Sequence, residues 1–137
     1  MPRIRTNLLI VDKDKILLMH RIKNGAEYYV LPGGSVESGE SIIDAAIREA
    51  REETGLDVTI NKEFWQFHDN MDGRDYHYFL VTKHSGQLKL GGPEVDRVSE
   101  SNKYFLEWHT LESLNDIKFY PEEMKPKVRE AFLENSR

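Results

Sequence analysis

The chain has 137 residues, 39% of them hydrophobic and 31% charged, a balance that excludes fibrous and disordered classes and fits one globular domain over residues 1–137. Lys plus Arg number 19 against 24 Asp plus Glu, and the net charge of −5 argues against a surface that grips nucleic acid by bulk charge. There are no cysteines, which excludes disulfides, thiolate metal sites and cysteine nucleophiles together.

Residues 1–9 carry Arg3 and Arg5 but no apolar stretch of signal-peptide length, and no apolar run approaches the ~20 residues that span a bilayer. The expectation is a cytoplasmic protein with no membrane partner. Residues 8–11 and 16–19 read as strands of a hairpin joined by a polar turn at 12–15. A short strand at 28–31 is stopped by Pro32, Gly33 and Gly34. From Ser41 the period changes to a helical stripe of Ile42, Ile43, Ala46, Ile47 and Ala50. Ser41 is the predicted N-cap, with Asp44 three residues on, and Gly55 the predicted C-terminal stop, so a helix spans 41–54.

Beyond it, 57–67 reads as one strand, 69–75 as a polar loop around Asp72-Gly73, and 76–82 as a strand. Residues 84–86 read as a turn, 87–90 as a further strand, and a loop opened by Gly91, Gly92 and Pro93 runs to Lys103. A strand at 104–108 follows, and Pro121 opens a C-terminal helix ending near Glu134. Strands, a central helix, strands and a terminal helix predict an α/β or α+β sandwich.

The chemistry concentrates on the central helix, which ends Arg48-Glu49-Ala50-Arg51-Glu52-Glu53-Thr54. At roughly 100° per residue, Glu49, Glu52 and Glu53 form one arc beside the apolar stripe, and Glu53 overlaps its edge. Ala45 falls within that arc and is too small to block access from above. Glu49 and Glu53 are a like-charge i,i+4 pair, and Glu52 and Glu53 oppose the helix dipole. Arg48 can neutralise Glu52 one turn on. A hard divalent cation would supply the rest, because clustered carboxylate oxygens suit Mg²⁺, Ca²⁺ or Mn²⁺. Read alone, the run is equally a solvated acidic face.

Gly34, Glu40, Arg48, Glu49, Glu52, Glu53 and Gly55 stand at the spacing of the Nudix box, here residues 34–56, and the chain resembles the MutT/Nudix hydrolase family. All seven fixed identities match, a coincidence that chance produces less than about once in 10⁵. Ala50 stands where the family usually has Ile, Leu or Val.

The resemblance implies a Nudix-type α/β/α sandwich with a mixed β-sheet, the Nudix loop–helix–loop and a C-terminal helix. It implies a metal cluster of Glu49, Glu52 and Glu53, with Gly34 letting the backbone approach the ion, Mg²⁺ with Mn²⁺ as an alternative. Arg48 would orient Glu52, and Gly39 and Glu40 would shape the loop entering the helix. Glu53 would belong to the base network that takes the proton from water, with Glu52 beside it. In some relatives a glutamate outside the box serves as base or added ligand; Glu94 and Glu100 lie where it is expected, and Glu100 is preferred.

The implied reaction cleaves a diphosphate bond in a nucleoside diphosphate linked to another group. The leading substrate is a nucleoside triphosphate, giving monophosphate and pyrophosphate. Sugar-linked nucleotides, ADP-ribose and dinucleoside polyphosphates are the alternatives, and a non-catalytic nucleotide-sensing domain is the alternative of another class. Residues 71–74 (Met-Asp-Gly-Arg) hold neither the proline common in ADP-ribose hydrolases nor the tyrosine common in dinucleoside polyphosphate hydrolases. Arg5 and Arg21 are candidates for substrate phosphates, and Tyr78 for stacking on a base. None of the five histidines shows metal-ligand spacing. Many family members form homodimers, so a homodimer is an expectation here as well.

Overall fold

A computed structural model describes residues 3–91 and 98–135. The chain runs β1 (Arg3–Asp12), β2 (Lys15–Lys23), β3 (Ala26–Val30), β4 (Gly33–Ser35), α1 (Ile42–Thr54), β5 (Leu56–Thr59), β6 (Lys62–Asp69), β7 (Arg74–Val81), β8 (Lys83–Gly86) and β9 (Asn102–Thr110). Two short 3₁₀ turns, Glu112–Asn115 and Glu122–Met124, lead into α2 (Lys125–Asn135). The main sheet has the order β3-β2-β1-β7-β6, with β4 added to β1 and β9 to β2. It is mixed, since β1 and β7 run parallel while the other pairs are antiparallel. β5 and β8 form a separate two-stranded sheet.

The run Leu8-Leu9-Ile10-Val11 is apolar at every position because both faces of β1 are covered. Leu8 and Ile10 pack with Leu17, Phe79, Val81 and the helix residues Ala46 and Ala50. Leu9 and Val11 point the other way, into a cluster with Leu18, Leu80, Val128 and Phe132. Parallel register matches the alternation across strands, with Leu8 beside Phe79 and Leu9 beside Leu80. The result is the expected α/β/α layering, α1 on one face and α2 on the other. Among the described residues no helix is long and apolar enough to cross a membrane.

Several boundaries differ from the expectation. The single strand at 57–67 is two strands in different sheets. The Asn61 N–H donates to the Leu80 carbonyl (2.9 Å) and its side chain accepts from the Thr82 N–H (2.8 Å), which turns the chain between β5 and β6. Residues 84–86 are not a turn but part of β8, paired with β5. Residues 87–90 form no strand, because their backbone serves the end of α1 instead. The Lys89 N–H donates to the Thr54 carbonyl (2.8 Å) and the Gly91 N–H to that of Glu53 (3.2 Å), satisfying carbonyls the helix leaves open. Gly33 and Gly34 do not merely stop β3; they form β4 against β1. Pro121 caps a 3₁₀ turn, and the helix proper begins at Lys125. Ile43, placed in the apolar stripe by its spacing, is exposed.

Candidate active site

α1 is built as its sequence requires. The Ser41 side chain accepts from the Asp44 N–H (3.1 Å), and Gly55 closes the helix in the left-handed region (φ 79°), its N–H donating to the Arg51 carbonyl (3.0 Å). The acidic arc grades from buried to exposed: Glu53 is only 6% exposed, Glu49 is half-buried and Glu52 is exposed, while Ala45 beside them is fully buried. β4 lies against this face of the helix.

β4 is held by β1 through Thr6. The Thr6 Oγ1 donates to the Gly34 carbonyl (3.2 Å), and Thr6 and Gly34 are register partners. The Gly33 N–H in turn donates to Glu53 Oε2 at 3.1 Å, which fixes that carboxylate against the loop. Gly34 has no room for a side chain. A Cβ there would stand 2.3 Å from the carboxylate carbon of Glu49. Glycine at 34 thus lets a carboxylate lie directly against the backbone.

Arg48 organises the remaining acids. Its Nε donates to Glu40 Oε2 (2.7 Å) and its Nη2 to Glu40 Oε1 (3.0 Å) and the Ser35 carbonyl (3.0 Å). Its Nη1 reaches Glu49 (3.0 Å) and Glu52 (3.1 Å). The Arg48–Glu52 pairing read from the sequence is present, and a forked, two-point contact to Glu40 stands beside it. These hydrogen bonds hold the Glu40 carboxyl below its ordinary range and keep the guanidinium more firmly protonated still. Among the described residues no three acidic or histidine side chains converge on a common point, and Arg48 Nη1 lies between Glu49 and Glu52. Their chemistry nonetheless suits a hard cation, with three carboxylates on one arc and a side-chain-free backbone carbonyl at Gly34.

A second feature opens on the other face of β1, a cleft of about 950 Å³. Tyr28, Trp65, Phe67, Tyr76, Tyr78 and Tyr120 give it aromatic walls. The three residues read as substrate candidates, Arg5, Arg21 and Tyr78, all line it. Arg5 is the register partner of Ser35 and of Tyr76, so it stands where cleft and box adjoin. The Arg21 guanidinium lies 3.9 Å above the Tyr104 ring and donates to Asn102 Oδ1 at 2.7 Å. Tyr78 is buried among Phe64, Trp65 and Phe67, and burial pushes its phenol above the usual range. Glu100 stands exposed on the turn before β9, beside the Ser101 carbonyl that accepts from the Asn24 N–H, and is not among the acids gathered by Arg48. Glu94 lies outside the described residues.

Sequence reasoning missed Thr6 and Gly91. Gly91 passes so close to the end of α1 that a Cβ would come within 2.4 Å of the Glu52 carbonyl oxygen. The double glycine at 91–92 was the available signal, but it read only as a loop.

Comparison with known proteins decides the family. The sequence matches the model of the NUDIX domain over residues 1–131. The chain belongs to the Nudix hydrolase family. It is 31% identical over 123 residues to the uncharacterized Nudix hydrolase YvcI of Bacillus subtilis, covering 85% of this chain and 71% of that protein. Over 56 residues, 40% of this chain and 33% of the other, it is 51% identical to an ADP-ribose pyrophosphatase of Methanocaldococcus jannaschii. Its fold matches that of a MutT structure from work on Aliivibrio salmonicida and Vibrio cholerae, with TM-score 0.76 and 24% identity over 98% of this chain and 99% of that one. This Nudix protein is therefore a hydrolase of phosphoric anhydrides, in a family that uses divalent metal ions and acts on small nucleotide-like substrates.

Proposed function

We propose that this Nudix hydrolase is a Mg²⁺-dependent pyrophosphohydrolase that converts a nucleoside triphosphate to the monophosphate and pyrophosphate. The observation that carries the reading is the Glu53 carboxylate, buried and tied to the Gly33 N–H, beside a glycine whose missing side chain seats Glu49 against the backbone. Glu49, Glu52, Glu53 and the Gly34 carbonyl are the groups that would hold the ion. When bound, Mg²⁺ offsets charge on the phosphate oxygens and makes a water more acidic.

The chain's own residues supply the rest. Glu53 accepts the proton as the water oxygen bonds to phosphorus, and the bridging P–O bond breaks to release pyrophosphate. The Gly33 N–H keeps that carboxylate oriented, and Arg48 holds Glu40, Glu49 and Glu52 in place while offsetting their mutual repulsion. The aromatic cleft receives the base, and Arg5, at the junction of cleft and box, faces the phosphates. The reading includes one domain over 1–137, a cytoplasmic location and no role for nucleic acid.

The test is a panel of nucleoside triphosphates, sugar nucleotides, ADP-ribose and dinucleoside polyphosphates, incubated with Mg²⁺ and resolved by chromatography. Monophosphate and pyrophosphate from a triphosphate are expected as the fastest products. Turnover of another class at a higher kcat/KM reassigns the substrate.

A further inference from the structure

The sequence holds four methionines and no cysteine. Among the described residues, Met19 and Met124 are buried at 4% and 1% exposure, while Met71 is 95% exposed. Met71 also lines the aromatic cleft, from the turn between β6 and β7. It therefore stands at the rim, open to solvent on one side and to the cleft on the other.

The turn that carries it is firmly built. The Met71 N–H donates to Asp69 Oδ1 (2.8 Å), the Gly73 N–H to the Asp69 carbonyl (2.8 Å) and the Arg74 N–H to Asp72 Oδ1 (2.9 Å). The Tyr76 hydroxyl donates to Asp72 Oδ2, which ties a ring of the cleft wall to the same turn. Tyr76 in turn stacks on Phe67 at 5.0 Å, and Phe67 lines the cleft as well. The backbone at Met71 thus holds a fixed place at the end of the hairpin whose rings wall the cleft. No protein group covers its side chain, so what covers it is a ligand. A ring laid against it removes apolar surface from water, and a thioether also makes favourable contacts with aromatic rings.

We propose that Met71 is an oxidation site at the rim of the cleft, and that its conversion to the sulfoxide by a peroxide weakens the binding of ring-bearing ligands there. That the ligand is a nucleotide rests on the reading given above. The thioether sulfur attacks one peroxide oxygen, and an S–O bond forms as the O–O bond breaks. The hydroxide released takes the proton of the transferred oxygen and leaves as water, so sulfur is oxidised and the peroxide reduced. An apolar side chain becomes a polar one that must be desolvated before a ring can cover it. Exposure selects the site, since Met19 and Met124 lie in the core, away from a peroxide in solution. Met1 lies outside the described residues.

The test uses the full chain. Folded protein is treated with dilute hydrogen peroxide, and peptide mass spectrometry locates the added oxygen. Met71 is expected to be oxidised before Met19 and Met124. Calorimetry without divalent metal then compares treated with untreated protein. The probes are adenosine and guanosine 5′-triphosphate and the dye anilinonaphthalene sulfonate, an aromatic anion that is not a nucleotide. Affinity is expected to fall about three- to tenfold after treatment. Methionine sulfoxide reductase should restore it, because this oxidation is reversible. Met71→Leu has no sulfur at the rim, and treatment should leave that variant's own affinity where it was. Circular dichroism checks that the treated protein and the variant are folded.

Oxidation of Met19 or Met124 as fast as Met71, unchanged affinity once Met71 is fully oxidised, or an equal loss in Met71→Leu overturns the proposal. Binding of the dye but of neither nucleotide removes the nucleotide reading, and the dye then decides the proposal by the same comparison. Nucleotides that bind equally before and after oxidation leave the nucleotide reading standing and remove the proposal. No binding of any probe to the untreated protein removes both.

Discussion

The box and the cleft share β1 and are built in opposite ways. In the box, nearly every group that matters lies between Gly33 and Gly55, and a hub arginine ties three glutamates and a carbonyl together by short polar contacts. The cleft gathers Arg5, Arg21, Tyr28, Trp65 and Met124 from distant parts of the chain and has aromatic walls. The box is a charged device that must be rigid to position its carboxylates. We expect the cleft to act as a stacking surface, in which a single change alters what is bound more than how fast it reacts. The two regions should therefore fail differently.

The largest effect belongs to the box. Glu53→Gln keeps the size of the side chain but removes the base, and turnover with Mg²⁺ should fall at least ~100-fold. Steady-state kinetics on a variant with an unchanged circular dichroism spectrum checks this. Near-full activity would move the base outside the helix.

Next come the paired glycines. Gly34→Ala pushes a methyl into the Glu49 carboxylate, the movable end of a side chain, and should lower activity about 10–100-fold with little change in melting temperature. Gly33→Ala instead meets the Thr6 carbonyl oxygen at 2.0 Å, which is backbone in the neighbouring strand. It should lower Tm by roughly 5–10 °C. Equal melting temperatures for the two variants would show that β4 yields more easily than its register with β1 implies.

A cleft substitution should split the kinetic constants. Tyr28 meets the Tyr120 ring edge-on at 5.7 Å, and Tyr28→Ala should raise KM about tenfold while kcat stays within about twofold. A fall in kcat alone would mean that cleft and box are coupled more closely than their separate faces suggest.

The smallest effect is on stability in acid. Hydrogen bonding to Arg48 holds Glu40 below its ordinary value. A carboxyl depressed in the folded state stabilises the protein fully above the unfolded pKa of about 4.3, and the contribution disappears as pH falls through the lower folded value. Arg48→Met should remove this acid limb and lower the melting temperature slightly near neutral pH. Thermal melts of both proteins from neutral pH down to about pH 3 would then converge in acid; parallel curves would place the stabilisation elsewhere.

Helical periodicity and spacing were sufficient to place α1, both of its caps and the acids along its edge, because these depend on bonds only three or four residues apart. The same reasoning did not show that β4 lies against this part of the helix, since what covers a helix face is decided by a strand folded back from outside it. It read 57–67 as continuous because alternation persists through Asn61, where a side-chain hydrogen bond and a change of sheet intervene. It also read 87–90 as a strand because nothing local shows that its N–H groups serve the end of a helix.

By itself, then, the sequence determined the reaction chemistry: the carboxylates, the arginine among them and the glycine beside them are neighbours along the chain, and a helix converts their spacing directly into a shared face. Only the tertiary structure decided which residues meet in the cleft on the other face of β1. Tyr78 is an ordinary strand residue until Trp65 and Phe67 pack on it, and Arg21 an ordinary surface cation until Tyr104 and Asn102 hold it in place. Those contacts join residues far apart in sequence, and no local pattern records which side chains long-range strand pairing will bring together.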